Sequence, residues 1–138
     1  MTLPRDVLLA KVREWIAVAD EDLRVAQHTL SLPSDCPHRM VAYHAQQSAE
    51  KYLKAYLVWR GVDFPYTHNI ARLRELCTTL GDWAAKLDDA DELSPFATTA
   101  RYPGESLVVS ETDARQSVVI AETVRRTVRQ ALHAEGAL

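Results

Sequence analysis

The residues best equipped for chemistry lie in one run, 39-RMVAYHAQQSAEKYLKAYLVWRG-61. Arg39 and His44 open it. Histidine exchanges a proton near neutral pH, and arginine neutralises phosphate through a planar pair of donors. Gln47, Glu50, Lys51 and Lys54 follow at helical spacing. At about 100° per residue, Val41, Ala45, Ala49, Tyr52, Leu53 and Tyr56 make an apolar stripe. Gln47, Glu50, Lys51 and Lys54 then share the opposite side, with His44 at its margin. That side is either a binding surface or a solvated face braced by the Glu50–Lys54 pair, which contributes a few tenths of a kcal/mol. Arg39 and His44 project about 140° apart on a regular helix. They converge only if Arg39 lies in a frayed first turn or a second subunit completes the site.

Other candidates stand outside this run. His68 follows Thr67 at the expected start of a third helix, where its ring either locks the preceding turn or meets a ligand. Asp22, at the edge of the first apolar stripe, is placed to pair with a cation or a tyrosine hydroxyl inside the fold. Arg101, in the turn Arg101-Tyr102-Pro103-Gly104, is a candidate partner for Asp22 or a reader of phosphate. Arg115, Arg126 and Arg129 share one sector of the last helix, with Glu122 among them. They read as a solubilising face, or one that meets an acidic partner.

The elements that must position these groups are helical. Leu8, Val12, Trp15, Ile16, Ala19, Leu23, Ala26 and Leu30 recur at three- and four-residue steps, predicting a helix from Arg5 to Leu30. Val7, Val18 and Val25 form a second, narrower apolar line that could meet a partner chain. A loop over 31–37 precedes a helix from His38 to Trp59, closed by Gly61. Thr67 is expected to cap a third helix from His68 to about Leu80. The stretch 82–100 reads as one or two short helices broken near Ser94-Pro95, and 101–109 as an exposed loop. Ser110 caps the last helix, with Glu111 and Asp113 in its first turn. Its core face is expected to exclude Val118 and Val119, which hint at a dimer or partner contact. The sum is all-α: an up-and-down bundle of four to five helices in one domain, residues 1–138.

Composition narrows the classes. The chain has 138 residues, 47% of them hydrophobic, only four glycines and a net charge of −3. The net charge of the whole molecule does not point to a nucleic-acid binder, but arginine supplies most of its 16 cations and leaves room for a local basic face. Cys36 and Cys77 form no C-x-x-C pair and no zinc-type spacing, so reduced cysteines and no metal are expected. MTLPRDVLLAKV lacks a signal-peptide hydrophobic run, and no apolar stretch is long enough to span a membrane. A cytoplasmic protein without cofactors is the expectation. The sequence holds no glycine-rich phosphate loop, nucleophile elbow or paired acids of nucleotidyltransferase type.

Four blocks together resemble one family. They are W-I-x-x-A-x-x-D-L-x-x-A (Trp15 to Ala26), A-Y-H-A-Q-Q-S-A-E-K-Y-L-K-A-Y-L (Ala42 to Leu57), T-H-N-I-x-x-L (Thr67 to Leu73) and A-R-Y-P-G (Ala100 to Gly104). Their order and spacing resemble the HEPN family along nearly the whole chain. The resemblance implies a helical bundle, usually a homodimer, often encoded beside a minimal nucleotidyltransferase in a toxin–antitoxin-like pair. It implies a partner module contacting nucleotide or RNA, here through Gln47, Glu50, Lys51, Lys54, His68 and Arg101.

Catalytic members of the wider family are metal-independent RNases. They carry Arg-x(4–6)-His, often with a polar residue after the Arg, late in the domain and at a composite site across the dimer. Arg39-Met-Val-Ala-Tyr-His44 fits the bare spacing, but it lies early and Met40 is apolar. In the alternative reading, an endoribonuclease toxin, His44 would do the acid–base work and Arg39 would neutralise the phosphorane.

Overall fold

The computed structural model describes residues 3–99 and 108–138. Its described elements are α1 (Arg5–Leu30), α2 (His38–Trp59), α3 (Ile70–Thr78), a 3-10 segment (Asp82–Leu93), α4 (Phe96–Thr99) and α5 (Glu111–Ala134). No strand occurs among the described residues. The bounds of α1 and α2 are those the periodicity predicts. At the end of α2, Gly61 adopts φ +68°, and Val62 N–H reaches the Leu57 carbonyl at 3.0 Å. That left-handed turn closes the last carbonyls, and a Cβ there would be strained.

α1 runs antiparallel to α2: Trp15 lies beside Lys54, Asp20 meets Tyr52 and Asp22 meets Lys51. α1 is also antiparallel to α5, with contacts running from Gln27–Glu122 to Arg5–Gly136. α2 and α5 are thus parallel, both packed on α1. Ser110 and Asp113 form a reciprocal capping box at the start of α5.

Two expectations need correction. α3 starts at Ile70, two residues after His68, because Asn69 is the cap and its side chain accepts from Arg72 N–H at 3.2 Å. Thr67 instead accepts from Asn69 N–H and shapes the turn before it. Val118 is buried with Leu23, Ala26, Val41 and Ala45 in a small apolar cluster, because α1 and α2 both reach that end of α5; Val119 stays exposed. The break expected near Ser94-Pro95 is present, between the 3-10 segment and α4. Arg101 and the Arg-Tyr-Pro-Gly turn lie outside the described residues.

The main core gathers Val12, Ile16, Leu53, Leu57, Ile70, Leu73, Val124 and Leu132 around Tyr52 and Tyr56. Burial pushes the Cys77 thiol up to about 12. Burial first, then hydrogen bonds to Asp20 and Glu135, raise the phenols of Tyr52 and Tyr56. In each case folding favours the protonated form. The unfolded chain therefore releases these protons first as pH rises, and stability is full below the ordinary thiol value of 9.0 and falls above it. Thermal melts between about pH 8 and 11 should show a falling Tm above about pH 9. Tyr52→Phe should make that alkaline fall shallower.

Candidate functional site

α2 is enclosed on nearly every side. α1 and α5 cover two flanks, and α3, α4 and the chain leading into α3 pack on the rest. The side that helical projection opposes to the apolar stripe is therefore covered as well. Glu50 is 2% exposed, Gln47 8% and Lys54 7%, and Gln46 is fully buried. These residues do not make a solvated face.

They make a closed polar knot. Glu50 accepts from Lys54 Nζ at 2.8 Å, from Gln46 and Gln47 Nε2 at 3.1 Å each, and meets His68 Nδ1 at 3.0 Å. Gln46 also donates to the His68 carbonyl at 3.2 Å, tying the connector before α3 to α2. The Lys54 ammonium lies 5.8 Å from the Trp15 ring centroid and 5.6 Å from that of Phe64. The aromatic faces add to the attraction of the carboxylate. His68 thus serves the knot and the turn.

A second node is partly buried. Asp22 accepts from Lys51 Nζ at 2.6 Å and bonds His44 Nδ1 at 2.9 Å. The pairing foreseen for Asp22 exists, with His44 and Lys51 as its partners. This bond orients the His44 ring and turns Nε2 away from Asp22. Arg39 is exposed in the first turn of α2, and neither a hydrogen bond nor a ring contact joins it to His44.

The opening with the strongest charge lies elsewhere, between α1 and α5. It is a cleft of about 540 Å³ lined by Arg24 from α1 and Arg125, Arg126 and Arg129 from α5. Two acids line it too. Asp20 accepts from Arg125 Nε at 3.0 Å and from the Tyr52 hydroxyl. Its bond to Arg125 holds that guanidinium above its ordinary value. Glu122 accepts from Gln27 Nε2 at 3.3 Å. Among the described residues Arg126 donates only to the Thr123 hydroxyl, at 3.4 Å. Among the described residues Arg24 and Arg129 form no ion pair. Four guanidiniums against two carboxylates leave local positive charge in a chain of net charge −3. Fixed cations in a concave site attract phosphate. Among the described residues no three His, Cys, Asp or Glu side chains are grouped as metal ligands would be.

A second Arg–His spacing was missed at the level of sequence. Arg126 is followed by Thr127, and six residues separate it from His133, late in the chain. Seven steps are nearly two full turns, so both side chains share one side of α5, about 10 Å apart along the axis. His133 Nδ1 lies 3.0 Å from the Leu138 carbonyl. The polar residue after the arginine was the signal available in the sequence.

The chain belongs to the HEPN domain family, whose model matches residues 12–131. A similar solved structure is TT1696 from Thermus thermophilus: TM-score 0.69, 23% identity, 87% of this chain and 97% of that one covered. That likeness supports the fold. No curated protein matches the chain. Among the described residues no helix is long and apolar enough to cross a membrane.

Proposed function

We propose that this HEPN chain is a binding module that works beside a minimal nucleotidyltransferase and holds the phosphates of a nucleotide or RNA. The observation that carries this reading is the α1/α5 cleft, with Arg24 and Arg129 free of acidic partners among the described residues. The nucleotidyltransferase companion is carried over from the resemblance of the blocks Trp15 to Ala26 and Ala42 to Leu57 to the family. The buried knot of Gln47, Glu50, Lys54 and His68 then has a supporting role: it holds α2 rigid beneath α1. Lys51 and Arg101 stay candidates for the partner's surface.

The test is fluorescence anisotropy with labelled ATP and with a labelled RNA oligomer, alone and with the nucleotidyltransferase. Arg24→Ala with Arg129→Ala should weaken binding at least about tenfold, or about 1.4 kcal/mol. Glu122→Gln should tighten it, because it removes a competing carboxylate. Both affinities should fall with added salt. Unchanged affinity in the double variant sinks the cleft as the site.

A second reading, metal-independent RNA cleavage, is favoured by one observation: Arg126 and His133 share a side of α5, whereas Arg39 and His44 do not share one on α2. Cleavage in EDTA that is lost in His133→Ala and kept in His44→Ala would select it. Loss in His44→Ala alone would return the site to α2.

A further inference from the structure

A second hollow opens beside α1, between its N-terminal half and the end of α2. Its volume is about 770 Å³, larger than that of the arginine cleft. Trp15 lines it from α1, and Trp59 and Phe64 line it from the end of α2 and the connector. The Trp15 and Phe64 rings meet edge to face, with centroids 6.2 Å apart. The charges here differ from those of the cleft. Glu14 and Asp63 both line the hollow, and each directly precedes one of the rings. Among the described residues neither acid forms a hydrogen bond or an ion pair. Of the two cations at the hollow, Arg60 is held by Glu135 at 3.2 Å and the Tyr56 hydroxyl at 2.9 Å. Lys11 is unpaired among the described residues. Two open carboxylates against one open ammonium leave surplus negative charge. The rings already draw cations of the chain itself: Lys54 Nζ lies 5.8 Å from the Trp15 centroid, and the Arg5 guanidinium 5.6 Å from that of Trp59.

We propose that this hollow binds an aliphatic diamine or polyamine, with one ammonium at Glu14, a second at Asp63 and the methylenes laid along the tryptophans. Glu14 stands on α1 and Asp63 on the connector, so a ligand that satisfies both carries two separated positive charges. Leu8, Val58 and the three rings supply apolar surface for the methylenes, and the ring faces attract the ammoniums. A compact single cation would leave one acid unmatched. A phosphate-bearing ligand would meet two open carboxylates and be repelled. The hollow borders α2, whereas the arginine cleft borders α5, so this site is additional to the one that holds phosphate.

Isothermal titration calorimetry of the full chain at low salt, with spermidine, putrescine and butylamine, tests this. Saturable binding of spermidine and putrescine is expected. Butylamine, with the chain length of putrescine but one ammonium, should bind at least about tenfold more weakly, because one charged contact is missing. Glu14→Gln with Asp63→Asn should weaken spermidine binding at least about tenfold. Lys11→Gln should tighten it by removing a like charge. Asp88→Asn with Asp89→Asn, on the 3-10 segment, should leave it unchanged. All five side chains are exposed, and circular dichroism melts verify that each variant folds. No saturable binding overturns the proposal, and so does an affinity indifferent to the Glu14 and Asp63 changes. An equal loss in the Asp88 and Asp89 variant reveals attraction to surface charge only and overturns it too. Butylamine as tight as putrescine removes the need for two carboxylates and the proposal with it. ATP affinity at the cleft is measured separately and should be unaltered by Glu14→Gln with Asp63→Asn, so the two ideas fail independently.

Discussion

Glu50→Ala is expected to destabilise the fold by about 3–5 kcal/mol in urea titrations, the cost of breaking a buried ion pair by removing one partner. The size follows from what stays behind. Lys54 keeps its charge between Trp15 and Phe64, in a site where the side chain is 9% exposed. Gln46 and Gln47 lose their carboxylate acceptor, and His68 loses its contact with α2's acid. Each buried donor left unmade costs about 1–3 kcal/mol. Replacing both charges with apolar groups of similar size, Glu50→Leu with Lys54→Met, should cost less than Glu50→Ala alone, because no orphan charge remains. A loss under about 1 kcal/mol in Glu50→Ala would show that water reaches the knot and relieves it.

Tyr52→Ala should cost a comparable amount, about 3–5 kcal/mol. Tyr52 is fully buried in the main core, so truncation opens a cavity there. It also deprives Asp20 of the phenol and leaves that carboxylate to Arg125 alone. Tyr52→Phe separates the two losses. It keeps the ring and removes only the hydroxyl, for about 1 kcal/mol. Because Asp20 lines the arginine cleft, Tyr52→Phe should also shift phosphate affinity there, whereas a core substitution such as Leu57→Ala should leave it alone in the folded fraction. Equal losses in Tyr52→Ala and Tyr52→Phe would mean that the ring contributes nothing by packing.

The three long helices could be read from the chain because their signals are local. Stripes at three- and four-residue steps, Gly61 and the Ser110–Asp113 box act within a few residues of themselves. The polar side of α2 could not be placed that way. A helical projection assigns one buried side, and it cannot say that the connector and α3 will cover the other. The same limit explains Val118, which two other helices bury together. The arginine cleft is a tertiary convergence: Arg24 comes from α1 and Arg125 from α5, and no spacing within either helix announces their meeting. The start of α3 was misplaced for a smaller reason. Thr67 and Asn69 are both capable caps, and only the hydrogen bond from Arg72 N–H separates them. Arg126 and His133, by contrast, were within reach of the sequence.

The knot around Glu50 also acts as a registration pin. An apolar helix in an apolar sleeve can slide by a turn, about 5.4 Å, and still find grease on all sides. α2 cannot. Moved one turn along its axis, it would strand Glu50 away from His68 and carry Lys54 off its aromatic seat. The charges thereby select a single axial setting for the helix that every other long element touches. That setting fixes the height at which Tyr52 meets Asp20, and so the floor on which the arginines of the cleft stand.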